Sequence, residues 1–184
     1  MDRLIPYILV LRGINVGGKR RLLMVDLKAQ LSGFNFQDIQ TYIQSGNVVF
    51  KSSIELNISK TEKRIAEMIL KEFGLEVPVI LFSSDKLRRI VQENPFVASA
   101  GVEQLYCTFV KNTPTKAAID SLSEVSFAPD VFKVTNEVIY LKLQGKASDS
   151  KITNVFFEKK LGQTCTTRNW KTTLKLLGMV SSEN

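Results

Sequence analysis

The chain has 184 residues, 44% of them hydrophobic and 23% charged, which suffices for one ordinary domain or two small ones with a real core. Lys and Arg number 25 against 18 Asp and Glu, giving a net charge of +7, and there is no histidine. Without imidazole, Ser-His-Asp and Cys-His nucleophile pairs and histidine metal ligands are excluded, so the balance leans away from catalysis. An enzyme here would rest on carboxylates, lysine, tyrosine or a bound cation.

Ile5 to Leu11, IPYILVL, is a continuous apolar run that predicts a strand buried on both faces. It leads into the loop Arg12-Gly13-Ile14-Asn15-Val16-Gly17-Gly18. Met24, Leu27 and Leu31 share a helical face over Met24 to Leu31, with Gly33 beyond. Ile39 to Ile43 and Val48 to Phe50 predict two strands, and Ser45-Gly46-Asn47 between them predicts an antiparallel hairpin. Ile58 to Phe73 is the clearest amphipathic helix, closed by Gly74. Val77 to Phe82 reads as a fourth strand, and Ser84 or Asp85 caps a short helix through Val91.

The order strand, helix, strand, strand, helix, strand is the ferredoxin-like order. The second half reads as strand Leu105 to Val110, helix Lys116 to Leu122, strands Phe132 to Thr135 and Val138 to Leu143, and helix Ile152 to Leu161. That repeats the first plan without its closing strand. A last helix, Trp170 to Leu177, is expected to stop at Gly178, with Met179 to Asn184 as a frayed tail. The expected class is α+β: a ferredoxin-like part over 1–93 and a second, smaller α+β part over 94–184 with a C-terminal helix.

Cys107 and Cys165 are too few for a disulfide framework or a structural zinc site, so no metal and no cofactor are expected. No run approaches the roughly 20 apolar residues that span a bilayer. Met1 to Val10 is too short for a signal peptide, which makes a cytoplasmic location the expectation.

Three segments carry the candidate chemistry. In the first, Arg12, Lys19, Arg20 and Arg21 lie within ten residues that hold no acid, around glycines that allow backbone N–H groups to converge on an anion. Arg12, Asn15 and Lys19 are its candidate ligand residues. GINVGGKRR has the spacing of neither a P-loop nor a dinucleotide fingerprint. In the second, Gly46 and Asn47 are explained by turn geometry, whereas Gln44 and Ser45 are free to face a ligand. In the third, Thr166-Thr167-Arg168-Asn169-Trp170, Thr167 or Asn169 is a natural N-cap and Trp170 an anchor. Arg168 beside a helix N-terminus would be a second anion site, and it is unfavourable there unless something negative compensates. Tyr7, Tyr42 and Phe50 lie on strands, but QTYIQSGNVVF lacks the signature of an RNA-recognition motif, so most rings are expected in the core.

The segments LRGINVGGKRRLLMVDL, TYIQSGNVVF and LGQTCTTRNWKTTLKLL resemble, in order and spacing, bacterial domain-of-unknown-function family 1697. The resemblance implies a ferredoxin-like N-terminal part and a second α+β part, and no established activity. Where that family's last motif reads TTRNWNT, this chain has Lys171 and Thr172 after Trp170.

The basic loops make a phosphate-bearing partner the leading expectation, either nucleic acid or a nucleotide-like metabolite, bound through Arg12, Asn15, Lys19, Gln44, Ser45, Asn47, Arg168, Asn169 and Trp170. The alternatives are an enzyme that uses Arg12 and Arg168 on an anionic small molecule, and an interaction module without a pocket. Convergence of the three motifs would favour a pocket.

Overall fold

The computed structural model describes residues 4–181. Two compact units divide the chain: one runs through Leu87 and resumes at Leu176, and the other spans Arg88–Lys175.

The first unit contains β1 (Ile5–Leu11), α1 (Met24–Leu31), β2 (Gln37–Tyr42), β3 (Asn47–Ser52), α2 (Ile58–Phe73) and β4 (Val79–Ser83). Its antiparallel sheet has the order β2-β3-β1-β4, which is the ferredoxin-like topology. Strand β1 is central because its apolar run lets both faces be buried: Leu9 and Leu11 on one side and Ile8 and Val10 on the other are 0% exposed. Leu27, Leu31, Ile65 and Ile69 of the two helices pack on the face that carries Tyr7, Leu9, Leu11, Val48 and Phe50. Each such side chain contributes about 1.5–3 kcal/mol by leaving water. Asn57 caps α2 by accepting from Lys60 N, and Gly74, at φ 66°, ends it.

The short helix α3 (Ser84–Gln92) follows. The second unit then repeats the plan with β5 (Leu105–Val110), α4 (Lys116–Ser123), β6 (Val131–Val134), β7 (Val138–Lys142), α5 (Asn154–Leu161) and β8 (Cys165–Asn169). Its sheet order, β6-β7-β5-β8, is the same as that of the first sheet, strand for strand. Helix α6 (Trp170–Ser181) ends the described chain.

Strand β8 corrects the expectation that the second half lacks a closing strand. It pairs antiparallel with β5, Val110 opposite Cys165 and Tyr106 opposite Asn169. The sequence hid it because its buried side chains, apart from Cys165, are Thr166 and Arg168, and no apolar alternation marks it. A second correction concerns Gly178, which lies inside α6 rather than ending it. A mid-helix glycine costs only about 1 kcal/mol relative to alanine, and the helix that continues past it buries Val180. Of the expected tail, Met179 to Ser181 is helical, and residues 182–184 lie outside the described residues, as do residues 1–3.

Candidate functional site

Strand β1 delivers the chain into a small hairpin. Asn15 N donates to Arg20 O at 3.1 Å and Lys19 N to Val16 O at 3.1 Å. Gly17 and Gly18, at φ 58° and 73°, form the two-residue turn at its tip. Two consecutive left-handed residues are what a type I′ hairpin turn requires, and glycine provides them without steric cost. The tip is open: Val16 is 68% exposed, and Lys19, Arg20 and Arg21 are exposed as well.

The base of this hairpin is locked to the β2–β3 turn. The Asn15 side chain donates from Nδ2 to Leu22 O at 2.8 Å and to Gln44 O at 2.6 Å, and its Oδ1 accepts from Leu22 N at 2.9 Å. Leu11 N donates to Gly46 O at 2.8 Å. Gly46 lies so close to β1 that a Cβ there would stand 2.7 Å from Leu11 Cβ and 2.9 Å from Ile14 Cδ1. Asn47 is fully buried at the start of β3, and its Nδ2 donates to Tyr42 O and to Ser45 Oγ. The first two motifs therefore meet, and Asn15, Asn47 and Ser45 form part of the brace. Gln44 lends the brace its carbonyl and is exposed. Arg12 is half-buried and donates its N–H to Pro78 O at 3.0 Å.

The third motif belongs to the second unit. Arg168 is on β8, 7% exposed, and its Nη1 donates to Thr166 Oγ1 at 2.8 Å and to Thr167 O at 3.0 Å. Its placement in a strand answers why a cation stands just before a helix: it is a buried, hydrogen-bonded strand residue. Asn169 is the cap of α6, accepting from Thr172 N at 2.8 Å, and Trp170 is a buried anchor. Tyr7 and Phe50 are core residues, with the Tyr7 hydroxyl accepting from Leu56 N, as expected for rings without an RNA-binding signature.

Of the basic residues in the first motif, Lys19, Arg20 and Arg21 are exposed, and none of the three pairs with a carboxylate among the described residues. Arg20 and Arg21 were not among the candidate ligand residues, yet they are exposed like Lys19, and the signal for them was the uninterrupted basic run. Among the described residues no group of three or more Cys, Asp or Glu side chains is placed to hold a metal ion. No helix among them is long and apolar enough to cross a membrane.

The family model described as "Protein of unknown function (DUF1697)" matches residues 4–140. The chain belongs to the DUF1697 family. The matched stretch includes both interlocked motifs of the first unit and ends within β7, before β8 and α6. No curated protein matches the chain. Among solved structures, this DUF1697 chain is similar to the conserved bacterial protein SP0830 from Streptococcus pneumoniae, at 20% identity and a TM-score of 0.79. That match covers 97% of this chain and 100% of the other, and it is a likeness of fold.

Proposed function

We propose that this DUF1697 protein binds the phosphate backbone of nucleic acid through the hairpin of residues 15–21. The observation that supports this reading is the run Lys19-Arg20-Arg21, exposed at one edge of a rigidly braced hairpin, in a segment with no acid before Asp26. Charges on a projecting tip suit an extended polyanion, because successive phosphates meet them without having to enter a concavity. A small phosphorylated metabolite would need a pocket to bury most of its surface. The brace keeps the cations in place before binding, which lowers the ordering cost of association. The net charge of +7 favours encounter with such a partner.

The test is fluorescence anisotropy of a labelled single-stranded oligonucleotide at several salt concentrations, with the native protein and a Lys19→Ala, Arg20→Ala, Arg21→Ala variant. Each phosphate neutralised contributes about −0.7 to the log–log salt slope, so the variant is expected to lose about 2 from it. No binding at low salt, or an unchanged slope in the variant, would overturn the reading.

A further inference from the structure

The first unit holds a cavity of about 360 Å³ that neither interlocked motif lines. It lies where the loop from α1 to β2 meets the loop from β3 to α2, and Phe34, Asn35, Ser53, Thr61 and Arg64 are among its walls. Its volume falls in the range of small-molecule sites, near the lower end.

The chemistry of the walls is one-sided. No Asp or Glu lines the cavity. Arg64 has no carboxylate partner among the described residues, and its guanidinium is held 5.0 Å above the Phe34 ring. A cation–π contact of this kind fixes a guanidinium without neutralising it, so its N–H donors remain available. Thr61 is only 7% exposed, it lines the cavity, and its hydroxyl has no hydrogen-bond partner among the described residues. The hydroxyl itself is reached by solvent rather than sealed in the core, so it can hydrogen-bond a ligand that enters the cavity. Ser53 adds a second hydroxyl. The first turn of α2 carries no acid, and its N-terminus is met only by the neutral Asn57 cap.

The same walls limit the ligand's shape. Phe34 is stacked on Phe36 and Phe36 on Phe50, with centroids 5.5 and 3.9 Å apart. These rings serve the core and the guanidinium, so the hydroxyls, the Asn35 amide and the guanidinium are the groups left for recognition.

We infer that this cavity is a binding site for a compact oxyanion, the carboxylate or phosphate group of a small metabolite, with Arg64 as the charge partner and Thr61 as a hydroxyl donor. The site does not depend on the hairpin reading, since the two share no residue.

The test is a titration of the ¹⁵N-labelled chain followed by amide chemical shifts, with inorganic phosphate in one arm and acetate in the other. Saturable shifts at Gly33, Asn35, Ser53 and Thr61 are expected in at least one arm, and the arm that responds tells phosphate from carboxylate. Arg64→Met keeps the stem on Phe34 and removes the charge, and should weaken binding about tenfold or more. Thr61→Val should weaken it as well, while Thr61→Ser, which keeps the hydroxyl, should not. The hairpin triple variant should bind the anion as the native chain does. Shifts absent from these residues in both arms, or unchanged in Arg64→Met and Thr61→Val, would overturn the site. Unchanged amide spectra of the free variants separate loss of a ligand group from loss of fold.

Discussion

Glu62 Oε1 accepts a hydrogen bond from Leu81 N at 2.9 Å, tying helix α2 to strand β4 at the edge of the first sheet. In the second unit Glu158 Oε1 accepts from Cys165 N at 3.1 Å, tying α5 to the edge strand β8. The two halves thus use the same device, a carboxylate on the second helix that occupies an amide of the closing strand, at the middle of β4 and at the start of β8. An edge strand offers unpaired N–H groups to other chains, and a fixed acceptor removes one of them.

Glu62 is 3% exposed, so losing it leaves a buried donor without its acceptor. Glu62→Ala should cost about 1–3 kcal/mol in chemical denaturation. Glu62→Gln, which keeps an acceptor oxygen, should cost less. Equal losses in the two variants would mean that the charge rather than the hydrogen bond matters.

Gly46 and Gly17 separate two roles of glycine. Both have positive φ, but a Cβ at Gly17 would meet nothing within 4 Å, whereas at Gly46 it would meet Leu11 and Ile14. Gly17→Ala should cost only the left-handed backbone term, about 1–2 kcal/mol. Gly46→Ala should add about 1–3 kcal/mol of overpacking and pull the two loops apart. Denaturation of both variants checks the difference.

Asn15 satisfies three backbone groups with one amide. In Asn15→Asp the donor is lost and a charge faces the carbonyls of Leu22 and Gln44. The variant should destabilise the first unit by about 1–3 kcal/mol. Its oligonucleotide affinity should also fall, although Asn15 carries no charge for phosphate. Amide exchange at Leu11, whose N–H donates to Gly46 O across the brace, should quicken, whereas the Leu22 N–H keeps a carboxylate acceptor. Protection at Leu11 equal to that of the native chain would show that the brace does not depend on the Asn15 donor.

The buried thiol of Cys107 and the phenol of Tyr140 predict alkaline instability. Burial pushes the Cys107 thiol well above its ordinary 9.0, with a hydrogen bond from Thr173 opposing the shift. Burial likewise raises Tyr140 above 10.0, and the nearby Cys107, Glu93 and Glu137 add to the rise. Both groups stay protonated in the folded chain while the unfolded chain releases protons above pH 9 and then 10. Their contribution is full below pH 9 and is lost as pH rises, at about 1.4 kcal/mol per pH unit for each proton. Denaturation midpoints from pH 8 to 11 should fall, and less steeply in Tyr140→Phe. A flat profile would show that neither group stays protonated through folding. Thiol reagents at pH 8 should leave both buried cysteines of the folded chain unlabelled.

Most elements were legible where side-chain pattern and burial coincide. Ile5–Leu11, Met24–Leu31, Ile58–Phe73 and Leu105–Val110 lie where their apolar spacing predicts. Strand β8 was not legible because Thr166 and Arg168 are buried by hydrogen bonding rather than by apolarity. The end of α6 was misplaced because glycine is a common helix terminator but not an obligatory one.

By itself the sequence determined the α+β order, the ferredoxin-like plan of the first half and the basic run on a glycine turn, since each is set by local spacing or composition. Tertiary structure decided which motif residues are spoken for. Asn15, Ser45 and Asn47 close backbone hydrogen bonds or each other, and Arg168 is buried on a strand, while Lys19, Arg20 and Arg21 remain in solvent. It also brought Arg64 and Thr61 to one cavity with Asn35 and Ser53, residues more than twenty positions apart at the extremes. The physical reason is the same in both cases: a polar side chain's partner is chosen by three-dimensional proximity, which local spacing does not encode.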